Sequence, residues 1–301
     1  MKAIQIDEYG GVDVLKVREA AEPVAQRGQV LVAVQVASLN PVDCKIRAGF
    51  FREMVPLEFP ATLGGDFAGR VIETGEEVYG SAIVLNGGSG AFAQKAAANT
   101  KNISPKPKSV DFVGASALPL VGSSAIQALE EHINLQKGQK ILIHGGAGGI
   151  GHLAIQLARA IGAYVATTVA AEDIDYVKEI GADEVIDYKS QDFSEILKDF
   201  DAVFDTVGGE VSDKSFKVLK KGGVLVSMLG QPNEEEAKKY GVAGIGQNTQ
   251  TNTEHLKRLA QLVDEKKIKV NVDKQFTLDQ AKEAFTYQEE VRPRGKVVLQ
   301  I

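Results

Sequence analysis

The sequence predicts an α/β fold that combines a doubly wound parallel sheet with a second, β-rich domain. In the first 118 residues, short runs of alternating apolar residues are broken by Gly and Pro, a pattern typical of β-strands. From residue 119 onward, strand-like and helix-like segments alternate, and a Gly-rich turn follows the first of these strands. Such repeated units close into an open parallel sheet that is covered by helices.

The β-rich domain is predicted over residues 1–118 and 268–301, and the parallel-sheet domain over residues 119–267. The first domain begins with the alternating strands "MKAIQI" and "QVLVAVQVAS". Residues 275–301 contain a short helix and a closing strand, which we expect to rejoin this domain.

The parallel-sheet domain alternates strands of apolar runs with helices that repeat apolar residues at three and four positions. In chain order it is predicted to contain strand 140–144, helix 149–162, strand 163–168, helix 172–181, strand 183–188, helix 193–200, strand 201–209, helix 215–223, strand 224–229, strand 241–250 and helix 253–267. Acidic and basic clusters such as "PNEEEAKKY" are interpreted as solvated helix faces and turns.

Composition excludes several classes of function. The net charge of −6 provides no basic surface for nucleic acid. No apolar run reaches the roughly 18 residues needed to span a bilayer, and the first residues lack a signal peptide's apolar block. The single cysteine, Cys44, excludes an internal disulfide. We therefore expect a cytoplasmic protein without a membrane or nucleic-acid partner.

A phosphate-binding turn is predicted where Gly146, Gly148 and Gly151 satisfy G-x-G-x-x-G between a strand and a helix. In this Rossmann motif the first Gly permits the tight turn, the second a close approach of the pyrophosphate, and the third helix packing. Free amides at the start of the helix attract the anion. The alternative is a Gly-rich turn without a ligand.

The choice between the two nicotinamide cofactors depends on the end of the second strand. An NAD-selective site usually carries an acid there, whereas this chain has Thr167 and Thr168, which permits a 2′-phosphate. NADPH is therefore preferred and NADH stays possible. The charged residues nearby are Lys178, Lys189, Glu172 and Asp173.

Several catalytic arrangements are missing from the sequence. The four His residues, at positions 132, 144, 152 and 255, fall at no zinc-ligand spacing, so no metal site is predicted. His144 and His152 are expected to lie near the cofactor, and the other two to be ordinary helix residues. No Tyr-x-x-x-Lys pair and no G-x-S-x-G elbow occurs. Cys44 is expected to be a packing residue.

The chain resembles the zinc-free quinone oxidoreductase branch of the medium-chain dehydrogenase/reductase superfamily, the zeta-crystallin-like and enone reductase group. The segments that carry the resemblance are "SLNPVDCKIRAG", "FPATLGGDFAG", "ALPLVGSSAIQAL", "LQKGQKILIHGGAGGIGHLAIQLA", "GADEVIDY", "FDTVGG" and "RGKVVLQI". The resemblance implies a GroES-like first domain, a Rossmann domain and a cleft between them where NADPH meets an electron-poor acceptor.

In the family's zinc-dependent relatives, metal ligands stand at the positions of Asn40, Lys45 and Gly65 in this chain. The resemblance therefore implies a site without zinc. It also implies that the segment near Gly75 is shorter than in the family, which affects the rim of the substrate pocket.

Without a metal, the acceptor itself must delocalise the new charge, as quinones and α,β-unsaturated carbonyls do. Asn40 is predicted to donate a hydrogen bond to the carbonyl or the nicotinamide, and Lys45 to stabilise or protonate the anion. The alternatives are that Asn40 caps a turn before Pro41 and that Lys45 is solvated. Asp43 could hold Lys45 or the local turn.

The resemblance implies a further set of residues at the cofactor: Asn40, Ser124, Gly146, Ala147, Gly148, Gly149, Ile150, Gly151, Thr168, Tyr188, Val207, Gly208 and Lys296. Of these, Lys296 either closes the cleft or is a surface lysine on a strand. Residues 241–250 could pair at a sheet edge to form a homodimer.

The predicted function is NAD(P)H-dependent, metal-independent reduction of quinones or enones by hydride transfer. The alternatives are a structural or sensing protein that binds NADPH with little turnover, and a zinc-dependent alcohol dehydrogenase.

Overall fold

The structure is a computed structural model and describes residues 1–301. Its sixteen strands are β1 (Lys2–Ile6), β2 (Lys16–Glu19), β3 (Gln29–Leu39), β4 (Ala61–Thr62), β5 (Asp66–Val71), β6 (Glu77–Ser81), β7 (Lys95–Asn99), β8 (Ile103–Pro105), β9 (Lys140–His144), β10 (Tyr164–Val169), β11 (Glu184–Asp187), β12 (Phe200–Asp205), β13 (Leu219–Ser227), β14 (Ala243–Gly246), β15 (Val272–Thr277) and β16 (Lys296–Gln300).

Ten α-helices connect or cover these strands. They are α1 (Pro41–Arg47), α2 (Phe112–Ser116), α3 (Pro119–Ile126), α4 (Gly151–Ile161), α5 (Ile174–Glu179), α6 (Phe193–Ile196), α7 (Glu210–Ser215), α8 (Glu234–Tyr240), α9 (Thr253–Asp264) and α10 (Ala281–Glu290). None of them combines the length and the apolar character that crossing a bilayer requires.

The contacts divide the chain into two compact units. The first unit comprises Met1–Ser123, Thr251–Lys266 and Val270–Ile301, and the second comprises Ser124–Gln250 and Lys267–Lys269. The domain prediction placed residues 253–267 in the parallel-sheet domain, whereas α9 belongs to the first unit. Two hydrogen bonds explain this assignment: the Tyr79 hydroxyl donates to the Leu256 carbonyl, and the Thr253 hydroxyl donates to the Ile103 carbonyl at 3.0 Å.

The second unit is built on a six-stranded sheet in the order β11-β10-β9-β12-β13-β14. All five strand pairs are parallel. This is the Rossmann order, in which the first strand lies centrally and the chain winds outward in both directions. Strands β9 and β10 are buried along almost their whole length, as a sheet covered on both faces requires. The predicted doubly wound sheet is thereby confirmed, with β14 as its sixth strand and edge.

Two predicted helices of this unit are shorter than expected. Helix α6 ends at Ile196, because Leu197 is already extended and Asp199 adopts a positive φ of 61° before β12 begins. The prediction of a helix over residues 215–223 was wrong for its second half. There Gly222, with φ of 83°, and Gly223 disfavour a helix, and β13 pairs with β12 instead.

Helix α8 was not predicted, because its acidic and basic residues were interpreted as a solvated surface. The Asn233 side chain begins this helix by accepting hydrogen bonds from the backbone amides of Glu235 and Glu236, and Gly241 ends it in the left-handed conformation. Acidic residues in its first turn and Lys238 and Lys239 in its last turn complement the helix dipole.

The first unit is β-rich, as predicted. It contains a sheet in the order β15-β16-β3-β5-β6-β8, in which β7 also pairs with β3, and a three-stranded sheet in the order β2-β1-β4. The Ile4 amide donates to the Phe92 carbonyl at 2.8 Å and so connects β1 to the segment that precedes β7. The fully buried rings of Phe67, Phe92 and Phe285 lie in the hydrophobic core of this unit.

The segment near Gly75 forms a tight hairpin between β5 and β6. Gly75 has a φ of 75°, which suits a residue without a side chain. The Val71 amide donates to the Glu76 carbonyl at 2.9 Å, and the Gly75 amide donates to the Val71 carbonyl at 2.8 Å. The shortened connection is therefore closed by its own hydrogen bonds.

Candidate functional site

The Gly-rich turn of the second unit connects β9 to α4, as predicted. A side chain at Gly146 would place its Cβ 2.1 Å from the Thr167 hydroxyl, and one at Gly151 would lie 2.2 Å from the Gly145 carbonyl oxygen. Both positions are therefore restricted to Gly by close packing of turn, helix and strand. At Gly148 a Cβ would lie 3.3 Å from the Gly145 carbonyl oxygen, which is a tight contact but a less severe one than at Gly146 or Gly151.

The backbone groups of this turn divide into two sets. The amides of Gly145 and Gly146 both donate to the Thr168 carbonyl at 3.2 Å, and the Gly148 amide donates to Gly145 at 3.0 Å. The amides of Gly149 and Ile150 donate to no backbone acceptor. Helix starts leave such donors for an anion, so the turn fits the pyrophosphate of a dinucleotide at this point.

The buried imidazole of His144 contacts the Thr168 hydroxyl, which in turn accepts from the Gly145 amide of the Gly-rich turn. His144, at the end of β9, is fully buried, and its Nε2 lies 2.9 Å from the Ser215 hydroxyl, which donates to the Val211 carbonyl. Its Nδ1 lies 3.0 Å from the Thr168 hydroxyl. Because the Ser215 proton is already used, His144 donates through Nε2 and accepts through Nδ1. Burial lowers the pKa of His144 to about 4, which keeps it neutral.

Thr168 was predicted to lie near the adenosine ribose. The structure places its hydroxyl against His144, and the side chain is only 5% exposed. Its hydroxyl thus orients the turn. Tyr188, the other residue predicted near the ribose, is 47% exposed and follows β11.

The loop that contains Val207 and Gly208 is organised by Asp205, which sequence reasoning missed. The Asp205 carboxylate accepts from the amides of Val207 at 2.8 Å and Gly208 at 2.9 Å. It also accepts from the hydroxyls of Ser212 and Ser227. The quoted segment "FDTVGG" contained this aspartate, and its position at the end of a strand could have identified it as the residue that holds the loop.

A cavity of about 290 Å³ borders this loop at the carboxyl ends of β12 and β13. Its lining includes Gly208, Ser212, Leu229, Gln231 and Asn233. Ligands of open parallel sheets bind at this edge.

Ser124 is fully buried, and its hydroxyl lies 2.8 Å from the Thr249 hydroxyl. The Gln247 side chain donates to the Ser124 carbonyl at 3.0 Å. Ser124 is therefore part of a polar cluster that follows β14.

In the first unit, Asn40, Asp66 and Lys296 come together at the ends of three neighbouring strands. The sheet register explains this, because Ser38 of β3 pairs with Asp66 of β5 and Leu39 of β3 pairs with Val297 of β16. The Asn40 amide nitrogen donates to Asp66 Oδ2 at 2.9 Å, and Lys296 Nζ donates to Asn40 Oδ1. All three side chains are at most 3% exposed.

The chemistry of the neighbours fixes the orientation of the Asn40 amide. An ammonium can only donate and a carboxylate can only accept, so Oδ1 must face Lys296 and Nδ2 must face Asp66. One Nδ2 hydrogen is used by Asp66, and the second has no partner in the protein. Lys296 Nζ also donates to the Leu39 carbonyl at 2.6 Å. The interpretation of Lys296 as a surface lysine was therefore wrong.

Asp43 completes this buried group, which we call the Lys296 cluster: Lys296, Asn40, Asp66 and Asp43. Its carboxylate accepts from the backbone amide of Asn40 at 2.8 Å and so stabilises the start of α1. Burial raises the pKa of Asp43 to about 7 and that of Asp66 to about 6. Burial lowers the pKa of Lys296 to about 8, against the attraction of both carboxylates.

Lys45 lies apart from this cluster on the exposed face of α1. Its ammonium is 5.7 Å from the centre of the Phe50 ring, which is itself 72% exposed. The Asp43 side chain bonds the backbone at the start of α1 and does not pair with Lys45. Cys44 packs in the core, as predicted, and burial raises the pKa of its thiol to about 12.

Fold and site together define a nicotinamide-dinucleotide oxidoreductase with a Rossmann unit and a β-rich unit. Two family models match the chain, an alcohol dehydrogenase GroES-like domain over residues 26–108 and a zinc-binding dehydrogenase domain over residues 180–299.

The chain is 36% identical to the 2-methylene-furan-3-one reductase of Solanum lycopersicum, with 99% of this chain and 79% of the relative covered. It is 35% identical, with the same coverage, to the chloroplastic NADPH-dependent alkenal/one oxidoreductase of Arabidopsis thaliana. The solved quinone oxidoreductase from Coxiella burnetii is 35% identical, with a TM-score of 0.92 over 100% of this chain and 99% of that one.

The chain therefore belongs to the medium-chain dehydrogenase/reductase superfamily, among its quinone oxidoreductases and enone reductases. The resemblance given by the sequence motifs is confirmed.

One matched model is named for zinc, yet the residues at the expected ligand positions are Asn40, Lys45 and Gly65. An amide, a cationic ammonium and a residue without a side chain do not supply the His, Cys or carboxylate ligands that zinc requires. No group of three or more His, Cys, Asp or Glu side chains is arranged to hold a metal ion.

Proposed function

We propose that this protein reduces quinones or α,β-unsaturated carbonyl compounds by hydride transfer from NADPH, without a metal. The observation that carries the proposal is the Gly-rich turn, where packing restricts positions 146 and 151 to Gly and the amides of Gly149 and Ile150 donate to no backbone acceptor. The relatives named for NADPH-dependent alkenal/one reduction and for quinone reduction support the choice of donor and acceptor.

The residues present fit the dinucleotide. Gly149 and Ile150 would hold its pyrophosphate through their backbone amides, and Asp205 keeps the loop of Val207 and Gly208 in place. When bound, NADPH supplies a hydride, and an acceptor of this class takes up the two electrons as an enolate or hydroquinone anion, which then takes a proton from Lys45 or from solvent.

The Lys296 cluster provides a fixed donor for such an anion. The Asn40 amide is oriented by two charged neighbours, so its free hydrogen needs no reorganisation to meet a developing oxyanion. Lys296 places a positive charge behind that amide and polarises it. The role predicted for Lys45, stabilising or protonating the anion from its exposed position, remains part of the proposal.

A steady-state screen tests the proposal. NADPH and NADH are each offered with a panel of quinones, alkenals and enones, before and after treatment with a zinc chelator. We expect acceptor-dependent oxidation of NADPH that the chelator leaves unchanged. Saturable NADPH binding without consumption would favour the structural or sensing alternative. Stoichiometric zinc with metal-dependent alcohol oxidation would favour an alcohol dehydrogenase.

We also propose a homodimer that forms through β14. This strand is the edge of the six-stranded sheet. The Gln231 side chain bonds the Gly244 carbonyl and the Gly246 amide on its outer side, and displacing that side chain would let the edge align with its own copy. Light scattering on Gly244→Pro tests this pairing, because Gly244 directs its backbone groups away from β13 and Pro removes that outward donor: we expect the dimer of the parent protein to become a monomer. A monomeric parent would contradict it. The cytoplasm stays the proposed compartment, to be tested by fractionation.

A further inference from the structure

An ion pair links the ends of the second and third strands of the Rossmann sheet. Glu172 lies in a short 3-10 turn, Ala171–Asp173, after β10, and Lys189 follows β11. Lys189 Nζ lies 3.1 Å and 3.5 Å from the two carboxylate oxygens of Glu172. The Tyr188 amide donates to the Val169 carbonyl at 3.1 Å, which holds the two strand ends together. The pair therefore lies at the edge where open parallel sheets bind ligands.

The position of Glu172 matches a general rule of dinucleotide sites. An acid roughly 20 residues beyond the Gly motif receives the ribose 2′-hydroxyl of NAD, whereas a nearby cation accommodates the 2′-phosphate of NADP. Glu172 follows Gly151 by 21 positions (172 − 151). The sequence offered Thr167 and Thr168 at this place, but both hydroxyls are buried and engaged, with Ile143 and His144 respectively. The exposed Glu172–Lys189 ion pair therefore remains as the candidate to contact the 2′ position of the adenosine ribose.

We propose that Glu172 and Lys189 set the preference of this protein between NADPH and NADH. Lys189 attracts the 2′-phosphate of NADPH. Glu172 accepts a hydrogen bond from the 2′-hydroxyl of NADH and repels the phosphate. The inference rests on the proposed function, because it takes the Gly-rich turn as the site of the pyrophosphate.

Glu172 and Lys189 are expected to have opposite effects on the binding of a 2′-phosphate. The Asp187 carboxylate accepts from the Lys189 backbone amide at 3.0 Å and from the Ser190 hydroxyl at 2.7 Å, so Glu172 is the carboxylate that contacts the Lys189 ammonium. A 2′-phosphate must compete with Glu172 for that ammonium. Both side chains are more than half exposed, at 64% for Glu172 and 55% for Lys189, so solvent and salt screen the competition. We therefore expect a moderate preference that a single neutral substitution can shift.

Two neutral substitutions of similar shape test the proposal, with the ratio of kcat/KM for NADPH to that for NADH as the readout. Lys189→Gln is expected to lower this ratio by roughly fivefold or more, and Glu172→Gln to raise it by roughly fivefold, as exposed charge pairs permit. Because the two side chains are in contact, their effects are coupled, and Glu172→Gln should raise the ratio less in the Lys189→Gln background than in the parent. Both shifts should shrink at high salt.

Lys257→Gln is the matched control, since Lys257 forms an exposed ion pair with Glu254 at 3.2 Å in the other unit. It changes the net charge equally and should leave the ratio unchanged. The proposal is overturned if Lys189→Gln and Glu172→Gln shift the ratio in the same direction or stay within about twofold of the parent.

Binding of 2′-phospho-ADP-ribose and ADP-ribose by calorimetry separates this inference from the proposed function. These fragments carry the 2′ position without the nicotinamide. Opposite shifts in their affinity ratio without reduction of any acceptor would support the specificity pair and contradict the proposed reaction. If the variants still reduce acceptors but the affinity ratio of the two fragments does not change, the proposed reaction would be supported and the role of Glu172 and Lys189 in specificity would be contradicted.

Discussion

The Lys296 cluster makes a specific prediction for the variant Asp43→Asn. Asp43 is buried beside Asp66 and Lys296, and its pKa rises from 3.8 to about 7. An amide at this position keeps an oxygen for the Asn40 backbone donor but cannot ionise. The substitution therefore removes one buried titration and preserves the start of α1.

The sign of the effect follows from proton linkage. A carboxyl group whose pKa is raised on folding stabilises the protein below its unfolded pKa, and this contribution is lost as pH rises through the folded pKa. The window here extends from pH 3.8 to about 7. A shift of about three units at about 1.4 kcal/mol per unit corresponds to roughly 4 kcal/mol over the whole window. Asp43→Asn should match the parent near pH 4 and exceed its stability near pH 8.

Thermal unfolding followed by far-UV circular dichroism at several pH values measures this difference, and suits a chain without Trp. Asp13→Asn is the control, because Asp13 is a fully exposed carboxylate and the charge change is the same. A difference between Asp43→Asn and the parent that stays constant from pH 5 to pH 8 would refute the reasoning. It would mean that Asp43 is ionised throughout or is better solvated than its burial implies.

Three further predictions concern catalysis, cofactor binding and the thiol. Asn40→Ala should lower kcat by about 10- to 100-fold with little change in NADPH affinity, because the oriented amide donor is lost; unchanged turnover in steady-state assays would remove Asn40 from the proposed role. Gly151→Ala should abolish saturable NADPH binding in a fluorescence titration, since its Cβ would lie 2.2 Å from the Gly145 carbonyl oxygen; binding at parental affinity would contradict the proposed packing of the turn. Cys44 should react with a thiol reagent far more slowly in the native protein than in urea, because burial raises its pKa to about 12; equal rates would show that it is accessible.

Much of the Rossmann unit could be predicted from the sequence, because its strands and its Gly turn depend on local pattern. Strand β9 has the predicted bounds, and α4 ends at Ile161, just before Gly162, whose positive φ of 93° stops the helix. Where the pattern failed, longer-range pairing decided the structure. Leu219 continues a helical pattern in sequence, yet it pairs with Phe200 in the sheet.

The buried networks could not be predicted in the same way. Asn40, Asp66 and Lys296 are far apart in the chain, and only the registers of β3, β5 and β16 bring them together. Sequence reasoning singled out Asn40 and Lys296 separately but could not pair them. Asp205 was missed because its role depends on the folded path of the loop that it holds.

In the proposed reaction, a hydride passes directly from the bound cofactor to a conjugated carbonyl compound. NADPH labelled with deuterium at nicotinamide C4, on each face in turn, tests this most directly when the reduced enone is analysed by mass spectrometry. One of the two labelled cofactors should deliver its deuterium to the carbon β to the carbonyl. A reduced product that carries no deuterium from either cofactor would contradict it.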